Sequence, residues 1–339
     1  MSFMNEKRIT FLTYLLAIIL LFLVASNFIK TDYMLTAPGA ALQLEEIITV
    51  EKGSKDAEGG LYLTAVSSRE ASLFNFLYVK IFQPRGIELT PKELTLPPDI
   101  SMEKYIEIME DMMFESQMFA KVVALREVGY EPHITGHGAE IIEIMEESKA
   151  EEVLKPGDII IEIGGEEIGL AAEAVQQIRK HDVGEKVDMT VKRDGEKKEL
   201  EVETIELKDS PNKASVGIYI ATYNREYSFP IEVDMATENI IGPSAGTMFA
   251  LEIVNQLTEG DLTKGYKIAG TGTISLEGEV GVISGVDKKV MAAEAKGISY
   301  FLAPAENYDK AVEAATKLEV VKIKTFDDAL NFLEGLNEK

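Results

Sequence analysis

A serine at the centre of a short run of small residues is the strongest chemical signal in this sequence. Ser244 lies in the run Gly242-Pro243-Ser244-Ala245-Gly246, and the apolar stretch that follows this run predicts a helix over 244–257. The N–H groups of a first helical turn lack partners within the helix, and the helix dipole favours negative charge there. They can therefore stabilise the oxyanion of an acyl-transfer intermediate. The pattern predicts a nucleophilic serine, with a serine that only caps a helix as the alternative.

The base that would activate this serine is not a histidine that follows it. All three histidines of the chain precede the serine, and they are His133, His137 and His181. The G-x-S-x-G pattern therefore does not fit the Ser–acid–His order of the α/β-hydrolases. Lysine is the usual substitute, because burial lowers its pKa and leaves an amine that can take a proton. Lys288 and Lys289 begin a predicted helix over 286–296, and on composition either could be this base or both could be solvated.

Four short segments around these residues resemble the proteolytic domain of Lon peptidases. The segments are 242–246, 270–276, 278–280 and 285–293. Members of that family use a Ser–Lys dyad, and matching the last segment without gaps implies that the lysine is Lys289. The resemblance also implies that Thr271 holds the lysine amine toward Ser244. The family often carries an acid three residues before the serine, and Ile241 stands there, so no role is transferred to that position.

A second unit with its own motif precedes the catalytic run. Leu154-Lys155-Pro156-Gly157-Asp158 leads into a predicted strand over 159–163 and a tight turn at Gly164-Gly165. This pattern, within residues 115–205, resembles the PDZ domains of bacterial exported proteases, in which a bound peptide adds as a strand. The peptide-binding loop that the resemblance implies comprises Gly136, His137, Gly138 and Ala139. The alternative is a domain that only spaces the catalytic domain from the membrane.

The N-terminal residues predict a membrane anchor. Residues 9–29 carry no charge and are dominated by Leu, Ile, Phe and Val, and about 20 such residues suffice to cross a bilayer. Lys7 and Arg8 precede them, which predicts a cytoplasmic N-terminus over residues 1–8 and an extracellular catalytic domain at the cell membrane. The run is long for a signal peptide, and Asn27 makes a poor cleavage site, so a retained helix is favoured.

Composition excludes several classes of protein. The formal net charge is −24, with 58 acidic against 34 basic residues, which argues against nucleic-acid binding. The absence of cysteine excludes disulfides, thiolate metal sites and a cysteine nucleophile. His133 and His137 have the spacing of a helical metal pair, but the glycines around them oppose a helix, so no metal is expected. No phosphate-binding G-x-x-x-x-G-K-[ST] motif occurs, and no cofactor is expected.

The sequence therefore predicts a multidomain chain of α/β and α+β class. Its predicted parts are a transmembrane helix over 9–29, a β-rich extracytoplasmic segment with the start of a linking helix over 30–114, the PDZ-like domain over 115–205 and the Lon-like proteolytic domain over 206–339. This combination resembles the membrane-anchored PDZ–Lon serine peptidases of Gram-positive bacteria, whose members process secreted peptide pheromones or degrade small membrane-associated regulators.

The function expected from this resemblance is ATP-independent, membrane-tethered endopeptidase activity with Ser244 and Lys289 as the dyad. The expected partners are extended or unfolded peptides and small proteins, the cell membrane through the N-terminal helix, and further copies of the chain in a homo-oligomer. The alternative is a non-catalytic scaffold at the cell surface that binds peptides through its PDZ-like domain.

Overall fold

The computed structural model describes residues 2–55, 58–95, 102–145, 148–207, 210–237 and 240–339. The chain forms two compact units. Unit 1 comprises Met1–Glu131 and Ile231–Lys339, and unit 2 comprises Pro132–Pro230. Unit 2 is thus inserted in the sequence between the two halves of unit 1.

Both units mix helices and strands. Within the described ranges the helices are α1 (Ser2–Ser26), α2 (Leu73–Phe82), α3 (Lys92–Thr95), α4 (Met102–Glu127), α5 (Ala171–Ile178), α6 (Gly246–Leu257), α7 (Val286–Ala295), α8 (Tyr308–Ala314) and α9 (Phe326–Glu334). The strands of the same ranges are β1 (Lys30–Gln43), β2 (Ile48–Val50), β3 (Gly60–Ser72), β4 (Glu88–Pro91), β5 (His133–Thr135), β6 (Ala139–Ile144), β7 (Ile159–Ile163), β8 (Glu166–Glu167), β9 (Lys186–Arg193), β10 (Glu196–Glu203), β11 (Ile205–Leu207), β12 (Ser210–Ser215), β13 (Ile218–Thr222), β14 (Glu226–Ser228), β15 (Val233–Met235), β16 (Lys267–Gly270), β17 (Thr273–Ile274), β18 (Val280–Gly281), β19 (Tyr300–Pro304) and β20 (Glu319–Ile323).

The main sheet of unit 1 joins the two distant halves of that unit. Its strand order is β20-β19-β16-β3-β1-β4. The strands β3, β16, β19 and β20 run parallel, and β1 pairs antiparallel with β3 and β4. The β-rich segment that precedes unit 2 in the sequence therefore supplies half of the sheet on which the C-terminal residues fold.

Helix α7 packs on this sheet through one face. Val286, Val290 and Ala293 recur at helical spacing and are buried against Tyr62 of β3 and Phe301 of β19. Residues three and four apart share a helix face, so the burial of these apolar positions fixes the rotation of α7. Helix α6 is buried along nearly its whole length, as expected of a helix that is apolar on most sides.

Unit 2 contains an antiparallel sheet with its own apolar core. Its strand order is β10-β9-β7-β6-β13, with β8 paired to β7. Asp158, only 1% exposed, accepts two hydrogen bonds from Arg193 at 2.6 Å and one from the Lys155 N–H at 2.8 Å. Burial raises the pKa of Asp158, but the Arg193 guanidinium and the Lys155 N–H together hold that pKa below its ordinary value. The Leu-Lys-Pro-Gly-Asp motif is thus a turn stabilised by a buried ion pair.

The prediction of a transmembrane helix is wrong. Among the helices of the described residues, none combines the length and the apolar character needed to cross a membrane. Helix α1 begins at Ser2 and so includes Lys7 and Arg8, which the sequence pattern placed ahead of the helix. Membrane anchoring through this helix is therefore not supported, and the extracellular location stays a prediction.

Candidate active site

The turn that carries Ser244 is fixed by helix α4. The Gly242 N–H donates to the Met109 carbonyl at 2.9 Å, and Ser116 Oγ donates to the Pro243 carbonyl at 3.0 Å. Gly242 has φ +88°, a left-handed conformation that favours glycine. Helix α6 begins at Gly246, two residues later than the start predicted from the sequence, so Ser244 lies in the turn before the helix. The serine is half-buried at the surface of unit 1.

Three side chains from separate elements meet at this turn. Lys289 Nζ, on α7, donates to Ser244 Oγ at 2.7 Å and to Thr271 Oγ1 at 2.9 Å. Thr271, directly after β16, donates its own hydroxyl proton to the Ser244 carbonyl at 2.8 Å. The Gly272 N–H donates to that same carbonyl at 2.8 Å. The three residues that the Lon resemblance implies are therefore brought together, with Thr271 bonded to both members of the dyad.

The environment of Lys289 suits it to act as a base. Its side chain is buried, with only 4% of the residue exposed. Burial disfavours the ammonium form and lowers the pKa of Lys289 from 10.5 to about 8. Near neutral pH a useful fraction of the amine is therefore uncharged and able to accept the serine proton.

The neighbouring lysine has the opposite electrostatic environment. Lys288 is equally buried, but its ammonium pairs with Glu88 at 2.9 Å and with Asp287 at 3.2 Å. Burial lowers the pKa of Lys288, and the two carboxylates outweigh that effect, so the net shift is upward. Composition alone did not distinguish the two lysines. In the structure, Lys289 donates to two hydroxyl groups, whereas Lys288 pairs with two carboxylates.

The backbone around Ser244 has N–H groups that are able to donate to an oxyanion. The N–H groups of Ser244 and Ala245 donate to no other residue within the described ranges. Both precede the N-terminus of α6, where the helix dipole favours negative charge. Gly246 is small for a packing reason, because a Cβ there would lie 2.6 Å from Ser116 Oγ and 2.8 Å from Ile274 Cγ2.

The predicted peptide-binding loop of unit 2 is already hydrogen-bonded within the chain. The His137 N–H donates to the Tyr223 carbonyl at 2.9 Å, the Tyr223 N–H donates to the Gly138 carbonyl at 2.9 Å, and the Gly138 N–H donates to the Gly169 carbonyl at 3.1 Å. A Cβ on Gly136 would lie 2.4 Å from Thr222 Cγ2. Ala139 opens β6, which pairs with β7 on one side and β13 on the other. The donors that a peptide would need at His137 and Gly138 therefore have other partners.

A different surface of unit 2 is open. A cavity of about 170 Å³ lies between α5 and the edge strand β13. Its apolar lining comes from Val175 and Ile178 on the helix and from Ile218 and Ile220 on the strand, and its cations are Arg179 and Lys213. Sequence reasoning missed this groove, although the alternating isoleucines after Gly217 were a signal of a strand with one apolar face.

The residues described contain no group of three or more histidine and acidic side chains that could hold a metal ion. His133 lies on β5, and His137 lies in the loop before β6. A strand and a loop do not give the shared helical face on which a pair four residues apart would bind one ion.

Two family models match this chain. Residues 114–204 match the PDZ domain, and residues 199–334 match the Lon protease (S16) C-terminal proteolytic domain. The second match contains Ser244, Thr271 and Lys289.

Lon proteases are among the curated relatives of this chain. The Lon protease of Campylobacter concisus is 34% identical over 31% of this chain and 14% of its own length. Lon protease 2 of Bacillus subtilis is 30% identical over 34% of this chain and 20% of its own length. The chain thus spans a fifth or less of these two relatives.

Solved structures similar to this chain include PDZ domains. The crystal structure of the PDZ domain of the SdrC-like protein from Listeria monocytogenes is 22% identical, with a TM-score of 0.23 over 25% of this chain and 87% of that one.

Proposed function

Because the chain carries a PDZ domain and a Lon-type serine protease domain, we propose that it hydrolyses peptide bonds with Ser244 as nucleophile and Lys289 as general base. The observation that carries the proposal is the 2.7 Å contact between Lys289 Nζ and Ser244 Oγ, made by a lysine that burial keeps partly neutral. A nucleophile within hydrogen-bond reach of a base that a third group orients is the general arrangement of covalent catalysis, and Thr271 is that third group.

The proposed reaction follows from these contacts. Neutral Lys289 takes the proton of the Ser244 hydroxyl while Oγ attacks the substrate carbonyl carbon, and the Ser244 and Ala245 N–H groups receive the oxyanion. The C–N bond then breaks, and the lysine ammonium gives its proton to the leaving amine. Water, deprotonated in turn by Lys289, hydrolyses the acyl-enzyme and restores both side chains.

The non-catalytic scaffold is the weaker alternative. It would be favoured by a Ser244 side chain far from every lysine amine, whereas the observed contact is within hydrogen-bond distance. A scaffold also gains nothing from a buried lysine that has no carboxylate partner in the described part of the chain, since burying an ammonium costs free energy.

Two finer features belong to the same proposal. The 339 residues contain no phosphate-binding loop, so cleavage by this chain proceeds without ATP and acts on peptides that are already extended. The groove between α5 and β13 presents the edge of a sheet beside an apolar helix face, which suits an extended peptide that adds as a strand. We assign substrate capture to that groove rather than to the loop at 136–139.

The experiment is cleavage of casein and of fluorogenic peptides by the purified chain with no nucleotide added. Ser244→Ala is expected to abolish cleavage and to leave the circular dichroism spectrum unchanged. Ser68→Ala, which removes an exposed hydroxyl on β3, is the matched control and is expected to retain full activity. Equal activity of Ser244→Ala and the wild-type chain would refute the proposed nucleophile.

A further inference from the structure

A buried hydroxyl that the proposed reaction does not use lies on strand β3. Thr64 is only 4% exposed, and its Oγ1 has no hydrogen-bond partner among the described residues. A buried polar atom without a partner costs free energy, so such atoms are few in folded proteins, and a catalytic role is one reason to keep them. The Thr64 hydroxyl is therefore able to accept a hydrogen bond that forms during the reaction.

The register of the main sheet places Thr64 beside Thr271. Strands β3 and β16 are parallel neighbours, with Leu63 opposite Gly270, and the two threonines are the next residue of each chain segment. Neighbouring strands lie about 4.8 Å apart, so Thr64 and Thr271 adjoin where the shared register ends.

Both threonines lie on the face of the sheet that helix α7 covers. Tyr62 of β3 and Ala269 of β16 pack with α7 residues in one core cluster, and side chains two residues apart along a strand share a face. Val66 also faces the start of α7, because a Cβ on Gly285 would lie 2.9 Å from Val66 Cγ2. The Thr64 side chain therefore lies between two contacts of β3 with α7.

The base of the dyad reaches the same face from α7. Lys289 Nζ is 2.9 Å from Thr271 Oγ1 and 2.7 Å from Ser244 Oγ. The amine has one further N–H besides these two contacts, and within the described ranges it has no hydrogen-bond acceptor. When Lys289 takes the serine proton, this N–H becomes part of a charged ammonium and is a stronger donor.

The charged side chains around α7 have other partners or lie in solvent. Burial alone lowers the pKa of Lys289, so no nearby charge contributes to that shift. Asp287 and Lys288, its neighbours on α7, pair with Lys310 of α8 and Glu88 of β4. The other charged residues of the elements packed against α7 are exposed, and they are Lys30, Asp32, Arg69, Glu70, Asp309 and Glu313. The acceptor for the remaining N–H must therefore be an uncharged group.

We propose that Thr64 is a positioning residue for the general base, and that its Oγ1 accepts the remaining N–H of Lys289 when the amine becomes an ammonium. This inference rests on the proposed function. The contact holds Nζ in place between the serine and the leaving amine. It favours the charged state that forms during attack over the resting enzyme, which is the condition for accelerating a chemical step.

The test measures kcat/KM against pH for Thr64→Val, which keeps the shape of the side chain and removes the hydroxyl. We expect kcat/KM to fall about tenfold and the apparent pKa to lie about one pH unit below that of the wild-type enzyme, because a hydrogen bond that favours the ammonium is lost. Thr64→Ser restores the hydroxyl and should recover most of the activity and the pKa. Thr49→Val, the same change at an exposed position of β2, is the matched control.

The stability of the variant distinguishes positioning from support of the fold. At pH 10 the lysine is uncharged, and Thr64→Val is expected to be at least as stable in urea as the wild-type chain, because valine buries no unpaired hydroxyl. An unfolded Thr64→Val would show that the hydroxyl supports the fold rather than the base, and it would overturn the inference.

Chemical labelling separates this inference from the proposed function. Stoichiometric labelling of Ser244 by a small fluorophosphonate reports the nucleophile, and it is expected in the wild-type chain and in Thr64→Val alike. Labelling of both, with an unchanged apparent pKa in Thr64→Val, would overturn the role of Thr64 and leave the dyad intact. A wild-type chain that is not labelled would contradict the proposed function and this inference with it.

Discussion

Lys289 Nζ lies 2.7 Å from Ser244 Oγ at the end of a buried side chain that has no carboxylate partner among the described residues. The pKa of Lys289 and the stability of the fold are linked through this burial. The same burial that lowers the lysine pKa toward working pH makes the protonated lysine costly for the fold. Activity and stability should therefore respond to pH through one group.

The pH dependence of cleavage should report the lysine. Since the neutral amine is the base and its pKa is about 8, kcat/KM for a peptide without ionisable groups is expected to rise with pH and level off above about pH 8. Stopped assays between pH 6 and pH 10 measure this profile. Lys288→Met should leave the apparent pKa of the profile in place, because Lys288 contacts Glu88 and Asp287 rather than the serine. A flat profile across that range would contradict the role of Lys289.

Replacing Lys289 should raise the free energy of unfolding, although it removes activity. Lys289 has a pKa of 10.5 when solvated and about 8 when folded, so the unfolded state binds more protons between these values and stability rises with pH there. Below pH 8 the folded state bears the full cost of about 3 kcal/mol. Lys289→Met avoids that cost and loses hydrogen bonds that contribute about 1 kcal/mol. Inactive Lys289→Met is therefore expected to be about 2 kcal/mol more stable at pH 7.

Urea unfolding of the wild-type chain and Lys289→Met at pH 7 and pH 10, followed by far-ultraviolet circular dichroism, measures this difference. The advantage of the variant is expected to shrink at the higher pH. A variant that is less stable than the wild-type chain at pH 7 would show that the lysine is not strained by its burial.

Thr271 should act through the lysine. Thr271→Val keeps the shape of the side chain and removes the acceptor for Lys289 Nζ and the donor to the Ser244 carbonyl. We expect kcat/KM to fall about tenfold or more. The apparent pKa should also move below that of the wild-type enzyme, because a hydrogen bond that favours the ammonium is lost. Thr271→Ser restores the hydroxyl and should recover most of the activity and the pKa. An unchanged pH profile in Thr271→Val would reduce Thr271 to a packing role.

Short contiguous motifs carried the prediction of the Ser244–Lys289 dyad. The small residues of 242–246 and the apolar spacing of α7 each lie within a few residues of sequence, so they could be recognised locally. The start of α6 was nevertheless predicted two residues too early. What the sequence could not show was pairing between distant segments. Gly60 of β3 lies opposite Lys267 of β16. No local sequence pattern predicts that a segment before the PDZ domain supplies strands to the main sheet of unit 1.

Pairing between distant segments also decides which part of unit 2 is open to a peptide. The loop at 136–139 has the glycines of a binding loop, but Tyr223, distant in sequence, takes the His137 donor. Strand β13 follows the matched PDZ region and pairs with β6. The open edge of the sheet is therefore formed by β13 rather than by β6. In the N-terminal run, hydropathy marked the apolar residues, whereas helix α1 begins earlier, at Ser2.

The groove between α5 and β13 should bind peptides by their C-terminal carboxylate. Arg179 and Lys213 supply positive charge beside an apolar cavity of about 170 Å³, a volume suited to one aliphatic side chain. Fluorescence anisotropy with the catalytically inactive Ser244→Ala protein and labelled peptides that end in Val or Leu measures the affinity. Amidation of the peptide C-terminus is expected to weaken binding about tenfold, and Arg179→Glu to weaken only the free-acid peptide by a similar factor. Lys192→Glu, an exposed charge reversal on β9, controls for net charge, and equal affinity for free-acid and amidated peptides would rule out carboxylate recognition at this groove.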